Sequence, residues 1–119
     1  MYEKQVIGKY GENLVCKYFE ENDYKILDRN FKCNQGEIDI IVFDYSCKEI
    51  VFCEVKTRTN FNYGFPSEAV NKIKQKHMIS SAKYYLYRNG LENMFVRFDV
   101  IEVVINKGRY KLNHLKNVL

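Results

Sequence analysis

Two stretches near the middle of the chain do most to limit its fold: residues 37–44 (EIDIIVFD) and 49–57 (EIVFCEVKT). Both are dense in Ile, Val and Phe, side chains whose branching or breadth suits a pleated surface better than a helix. Only Tyr45-Ser46-Cys47-Lys48 separates them. So short a connector predicts an antiparallel hairpin. The centre of the fold must therefore be a sheet.

The flanking segments fit around that hairpin. Residues 24–31 (YKILDRNF) and 95–105 (FVRFDVIEVVI) read as further strands, and 106–109 (NKGR) as a tight turn into a short last strand at 110–115. Residues 3–21 carry a helical pattern, with Ile7, Gly11, Leu14, Val15 and Tyr18 on one arc. Gly8 and Gly11 should weaken that helix, so their presence points to close approach by another element. Asn22-Asp23 should end it. After a loop at 58–66 that ends in Gly64-Phe65-Pro66, a second helix is expected from Ser67 to Arg88, stopping near Asn89-Gly90. The order is αβββαβ with one more short strand. It predicts an α/β (α+β) domain spanning 1–119, its first three strands antiparallel.

Composition agrees. Hydrophobic residues make up 46% of 119 positions, including 10 Tyr and 8 Phe, enough to fill a core. With one Pro and 6 Gly, a low-complexity or collagenous chain is excluded. Uncharged runs fall far short of the roughly 20 residues that cross a bilayer, and Met1-Tyr2-Glu3-Lys4 opens no apolar signal core. The expectation is a soluble cytoplasmic protein without a membrane partner. Cys16, Cys33, Cys47 and Cys53 form no C-x-x-C pair, so reduced thiols are expected, with Cys16 and Cys53 in the core. A net charge of +4 permits a polyanionic partner without requiring one.

The chemistry lies in the two central strands. Alternation puts Phe52, Glu54 and Lys56 on one face of the 49–57 strand and Val51, Cys53 and Val55 on the other. In the 37–44 strand, Ile38, Ile40 and Val42 should share a face, opposite Glu37, Asp39 and Ile41. If the apolar sets pack together against a helix, Asp39, Glu54 and Lys56 are gathered on the other side. Two adjacent carboxylates repel unless a cation lies between them. Mg²⁺, with Mn²⁺ as a substitute, suits two carboxylates and a substrate phosphate. Asp39 and Glu54 would hold the ion, and Lys56 would orient water or meet charge growing on phosphorus. Ten Glu and fourteen Lys make about one E-x-K expected by chance, so the triplet alone says nothing and its mid-strand position says more. A surface salt-bridge ladder fits the same three residues, and pattern alone leaves both readings open.

Several motifs together resemble the uncharacterised bacterial YraN family: Gly11-Glu12, Gly36-Glu37-Ile38-Asp39, Phe52-Cys53-Glu54-Val55-Lys56-Thr57-Arg58, Phe65-Pro66 with Glu68-Ala69-Val70, and Arg97-Phe98-Asp99-Val100. That family is similar to the PD-(D/E)XK nuclease superfamily, above all to archaeal Holliday-junction resolvases. The resemblance implies a restriction-endonuclease-like fold, a mixed sheet flanked by two helices, and Mg²⁺-dependent cleavage of nucleic acid. It matches Asp39, Glu54 and Lys56 to the motif's Asp, Asp/Glu and Lys, and Glu12 to an acid from the first helix that also reaches the metal. Ile38 stands where the motif has Pro. By analogy with resolvases the substrate would be branched DNA in preference to RNA, in repair or recombination, and the enzyme a homodimer matching the junction's two-fold symmetry.

Other side chains are assigned around this site. Glu37 is expected to orient Arg58 or Lys56, and Arg58 to meet a phosphate or pair with Glu37. Lys74, at the edge of a second-helix face predicted to bury Val70, Ile73, His77, Ser81 and Tyr84, would reach a scissile-strand phosphate, a role the family motif supports. Lys72, Lys76 and Lys83 should be solvated. His77 should be a hydrogen-bonded core residue, and Arg97 and Asp99 a structural pair. Phe61 and Tyr63 could stack on exposed bases. The competing class is a nucleic-acid- or protein-binding module of the same fold that does not cleave.

Overall fold

The computed structural model describes residues 2–59 and 71–119. Phe61, Tyr63, the Phe65-Pro66 and Glu68-Ala69-Val70 motifs and the expected helix start at Ser67 lie outside the described residues. The elements are α1 (Tyr2–Glu21), β1 (Tyr24–Cys33), β2 (Gly36–Asp44), β3 (Glu49–Arg58), α2 (Lys72–Arg88), β4 (Val96–Asn106) and β5 (Arg109–Leu115). The strands form one mixed five-stranded sheet in the order β1-β2-β3-β4-β5. All neighbours are antiparallel except β3 and β4, which run parallel because α2 carries the chain back between them.

Local chemistry explains the joints. The α1 helix stops where Asn22 Nδ2 donates to Tyr18 O at 2.8 Å and Asp23 turns to φ 64°. Lys107 and Gly108, at φ 51° and 77°, make the two-residue turn that brings Asn106 opposite Arg109. Asn71, extended at φ −77° and ψ 176°, accepts Lys74 N–H on its side chain and so caps α2. The described helix thus begins at Lys72.

Both faces of the sheet are buried. On the α1 side, Val15, Cys16 and Phe19 pack on Ile40, Val42, Val51, Cys53 and Ile101. On the α2 side, Ala82 and Tyr85 pack on Phe31, Ile38, Ile41, Ile50 and Phe52. Ile38 is therefore on the α2 side, away from Ile40 and Val42, which corrects the expected grouping. The β2–β3 pairing runs from Asp44↔Glu49 to Ile40↔Cys53. At its end Val55 N–H donates to Asp39 Oδ2, at 2.8 Å. A side chain there takes a donor that a regular ladder would give to backbone, and β2 loses its alternation.

Gly11 fulfils its expected role, since a Cβ there would overlap the Thr57 side chain. Gly8 does not, having open space around it. The buried face of α2 also differs from expectation. It consists of Met78, Ser81, Ala82 and Tyr85, while His77 is exposed, as are Ile73 (68%) and Tyr84 (37%). The small Ser81 lets the sheet come close: a Cβ on Gly36 would lie 3.3 Å from both Ser81 Oγ and His77 Cβ. An apolar wheel cannot register a face chosen for smallness. Lys72, Lys76 and Lys83 are exposed as expected.

The α1 side also buries a polar network. Arg97 reaches Asp99 (3.1 Å), Asp44 (2.9 Å), Glu49 (3.1 Å) and the Tyr24 hydroxyl (3.0 Å). His114 bridges Tyr18 and Asp99, at 2.7 Å to each. The Arg97–Asp99 pair is as expected. The four cysteines are free, with Cys16 and Cys53 buried. Among the described residues, no helix is long and apolar enough to cross a membrane.

Candidate functional site

Regular alternation along β3 turns Val51, Cys53 and Val55 toward α1 and Phe52 and Glu54 toward α2. Glu54 is thus buried beneath the first turns of α2. Asp39 occupies the point where β2 leaves β3. Because pairing stops at Ile40↔Cys53, the strands part there and the two carboxylates meet at the fork.

The electrostatics follow. Burial, and then the neighbouring Glu54 carboxylate, pushes Asp39 up to about 7. Val55 N–H and the Lys74 ammonium oppose that rise. A hydrogen bond with Glu54 adds to the rise at Asp39. Lys74 Nζ donates directly to Glu54 Oε2. It is the nearest positive charge the fold supplies to the pair.

Glu12 projects from α1 toward the same fork. Burial raises its pKa first and Asp39 second, with Glu37 adding to the rise. Arg29, 4.0 Å away, and a hydrogen bond with Asn30 pull the other way. Gly11 sets this approach, since its missing side chain lets α1 settle on Thr57 of β3. Glu37 is exposed and lines a depression shared with Gly36, Lys74 and His77.

The remaining residues separate. Lys56 lies two residues beyond Glu54, half-buried and in register with Glu102 of β4. Among the described residues it forms no ion pair, so the expected ladder of Asp39 and Glu54 with Lys56 is replaced by Glu54–Lys74. Arg58, expected to meet a phosphate or Glu37, has its Nε on Glu102 Oε2 at 2.9 Å. Glu102 was not foreseen. It is a buried acid flanked by Val100, Ile101, Val103 and Val104, a placement that signals a partner inside the fold. His114 is a hydrogen-bonded part of the buried network.

The oxygen donors and their charge suit a hard divalent cation, which asks for one or two carboxylates and leaves other positions to water and phosphate. Asp39 and Glu54 meet that requirement. Among the described residues, no three His, Cys, Asp or Glu side chains converge on one point. Glu12 therefore stands near the pair, within reach of its field, in this side-chain arrangement.

The sequence profile of the uncharacterised protein family UPF0102 matches residues 11–103, an interval that contains every candidate site residue from Glu12 to Lys74. A UPF0102 protein of Clostridium botulinum type E3 is 48% identical over 113 residues, covering 93% of this chain and 91% of its own. One from Clostridium beijerinckii is 48% identical over 116 residues, with 93% and 90% covered. One from Caldanaerobacter subterraneus subsp. tengcongensis is 42% identical over 117 residues, with 96% and 94% covered.

Proposed function

The chain belongs to the uncharacterised protein family UPF0102, the family its YraN-like motifs point to, and we propose that it is a metal-dependent endonuclease of the PD-(D/E)XK kind. It hydrolyses phosphodiester bonds in nucleic acid, with branched or structured DNA as its first substrate. The observation that carries this reading is the meeting of Asp39 and Glu54 at the β2–β3 fork, with Asp39 pushed up to about 7 by burial and its neighbour. A buried carboxylate pair with a single lysine on it is short of positive charge, and Mg²⁺ or Mn²⁺ would supply it.

Asp39 and Glu54 would hold the ion, with Glu12 approaching from α1. When bound, the ion supplies Lewis-acid stabilisation of charge growing on the phosphoryl oxygens. Val55 N–H fixes the Asp39 carboxylate in place. Lys56, on the face of Glu54 and without an ion pair among the described residues, would orient the attacking water or meet the developing negative charge. Lys74, which holds Glu54 in this structure, would be the cation nearest a bound phosphate.

Titration calorimetry tests the site. Mg²⁺ or Mn²⁺ should bind the wild type, and Asp39→Ala should weaken binding at least about tenfold. A labelled panel of four-way, flapped, single-stranded and RNA substrates with each metal tests the activity. No cleavage of any of them by a metal-binding wild type would favour the non-cleaving binding module.

A further inference from the structure

We infer that the outer face of α2 is a track for an unpaired polynucleotide strand, which passes along the helix into the fork at Asp39 and Glu54. This rests on the nucleic-acid reading above and narrows its substrate to one with single-stranded character beside the cut.

Three features of one helix carry it. The first is charge: α2 contains Lys72, Lys74, Lys76, Lys83 and Arg88 and no Asp or Glu. A helix so one-sided suits a polyanion that takes up its repulsion. The second is the exposure of flat side chains. Tyr84 and Tyr87 are 37% and 70% exposed and lie a turn apart on the side of α2 that borders the β1–β2 turn, and His77 extends the same stripe toward the site. Tyr84 is backed by Phe31, its ring centroid 6.3 Å away, which steadies it as a stacking surface. Bases in a duplex hide their faces, whereas unpaired bases offer them to aromatic rings.

The third feature is continuity. Two depressions follow one another along the seam between α2 and the β1–β2 turn. The near one, about 370 Å³, is lined by Glu37, His77 and Lys74, the lysine whose ammonium contacts Glu54. The far one, about 610 Å³, is lined by Gln35, Lys83, Tyr84 and Tyr87. Glu37 and Glu92 add one acid to each. From Ile73 to Tyr87 the helix rises about 21 Å, the length of about six stacked nucleotides at ~3.4 Å each.

Fluorescence anisotropy with the full chain in chelator, using labelled oligo(dT), oligo(rU) and a blunt DNA duplex, reads binding without cleavage. The wild type should bind at least one single strand more tightly than the duplex, and the two arms tell DNA from RNA. Tyr87→Ala should weaken single-strand binding about tenfold and leave duplex binding unchanged. Lys83→Glu should weaken it further and flatten its salt dependence. Both side chains are exposed, so neither change threatens the fold. Unchanged affinity in Tyr87→Ala, or a duplex bound as tightly as the single strands, overturns the inference. Because no cleavage is read, a failed nuclease reading would leave this result standing.

Discussion

Lys74 of α2 places its ammonium directly on the Glu54 carboxylate of β3, joining the helix to the strand at the point where β2 departs. Glu54 is buried and Lys74 is 39% exposed at its side chain, so solvent screens one partner of the pair and not the other. The arrangement neutralises an acid cluster in the folded chain while keeping the cation able to swing outward.

Lys74→Met should therefore lower stability in chelator by about 1–2 kcal/mol, below the cost of breaking a fully buried pair. In a chain of this size that is a melting-temperature loss of several degrees. Excess Mg²⁺ should restore the variant more than it stabilises the wild type, because the ion binds only the folded form and finds an uncompensated Glu54 there. Equal metal-induced shifts in the two proteins would contradict the assignment.

Two glycines in α1 should respond with opposite signs. At Gly8 an added methyl meets open space, so Gly8→Ala should stabilise by about 0.5–1 kcal/mol through helix propensity. At Gly11 the same methyl overlaps Thr57, and the ~1–3 kcal/mol of overpacking exceeds the propensity gain. Gly11→Ala should destabilise, and Thr57→Ala should recover part of the loss. Urea unfolding of Gly8→Ala, Gly11→Ala, Thr57→Ala and the Gly11→Ala/Thr57→Ala double variant measures both the signs and the rescue.

Lys56 gives the sharpest separation of catalysis from folding. It makes no ion pair among the described residues, so Lys56→Ala should leave the melting temperature and nucleic-acid affinity nearly unchanged. The cleavage rate should fall by about 10²-fold or more, the usual loss of one well-placed charge-stabilising donor. Single-turnover cleavage beside anisotropy tests the division. A variant that cuts at the wild-type rate would remove Lys56 from the reaction.

The legible parts of this fold were those governed by period and turn chemistry. Alternation in β3 placed Val51, Cys53 and Val55 against Glu54, and the Asn106–Arg109 turn stood where its glycine put it. What escaped was set by tertiary detail. Ile38 changed faces because the Asp39 carboxylate took Val55 N–H and ended the ladder, an event no alternation rule contains. The inner face of α2 was chosen by the closeness of Gly36 to Ser81, and hydrophobicity does not encode closeness. Lys74 was read at the edge of the buried face of α2 and toward a phosphate, yet its contact with Glu54 depends on where Asn71 starts the helix. Arg58 found Glu102 because parallel pairing of β3 and β4 brought the two together, and that register spans a crossover that local patterns do not measure.

The buried network around Arg97 predicts how the protein meets acid. Burial alone would raise Asp99, but hydrogen bonds with His114, Arg97 and Asn117 N–H overcome it and hold the carboxyl below its ordinary value. Asp44 behaves alike: burial is outweighed by Ser46 and Arg97, and its carboxyl also lies below the usual range. The unfolded chain protonates these groups near their ordinary value of about 3.9, whereas the folded chain resists until lower pH. Their stabilisation is therefore full above about pH 5 and is lost as pH falls through the folded values. Asp99→Asn should cost about 3 kcal/mol at neutral pH, since it leaves Arg97 short of a charge partner in the interior. The gap from the wild type should narrow steadily below pH 4, as the wild-type carboxyl protonates and loses the same advantage. Urea titrations at stepped pH measure the gap, and one that stays constant through the acid range would show that the Asp99 charge does not support the fold.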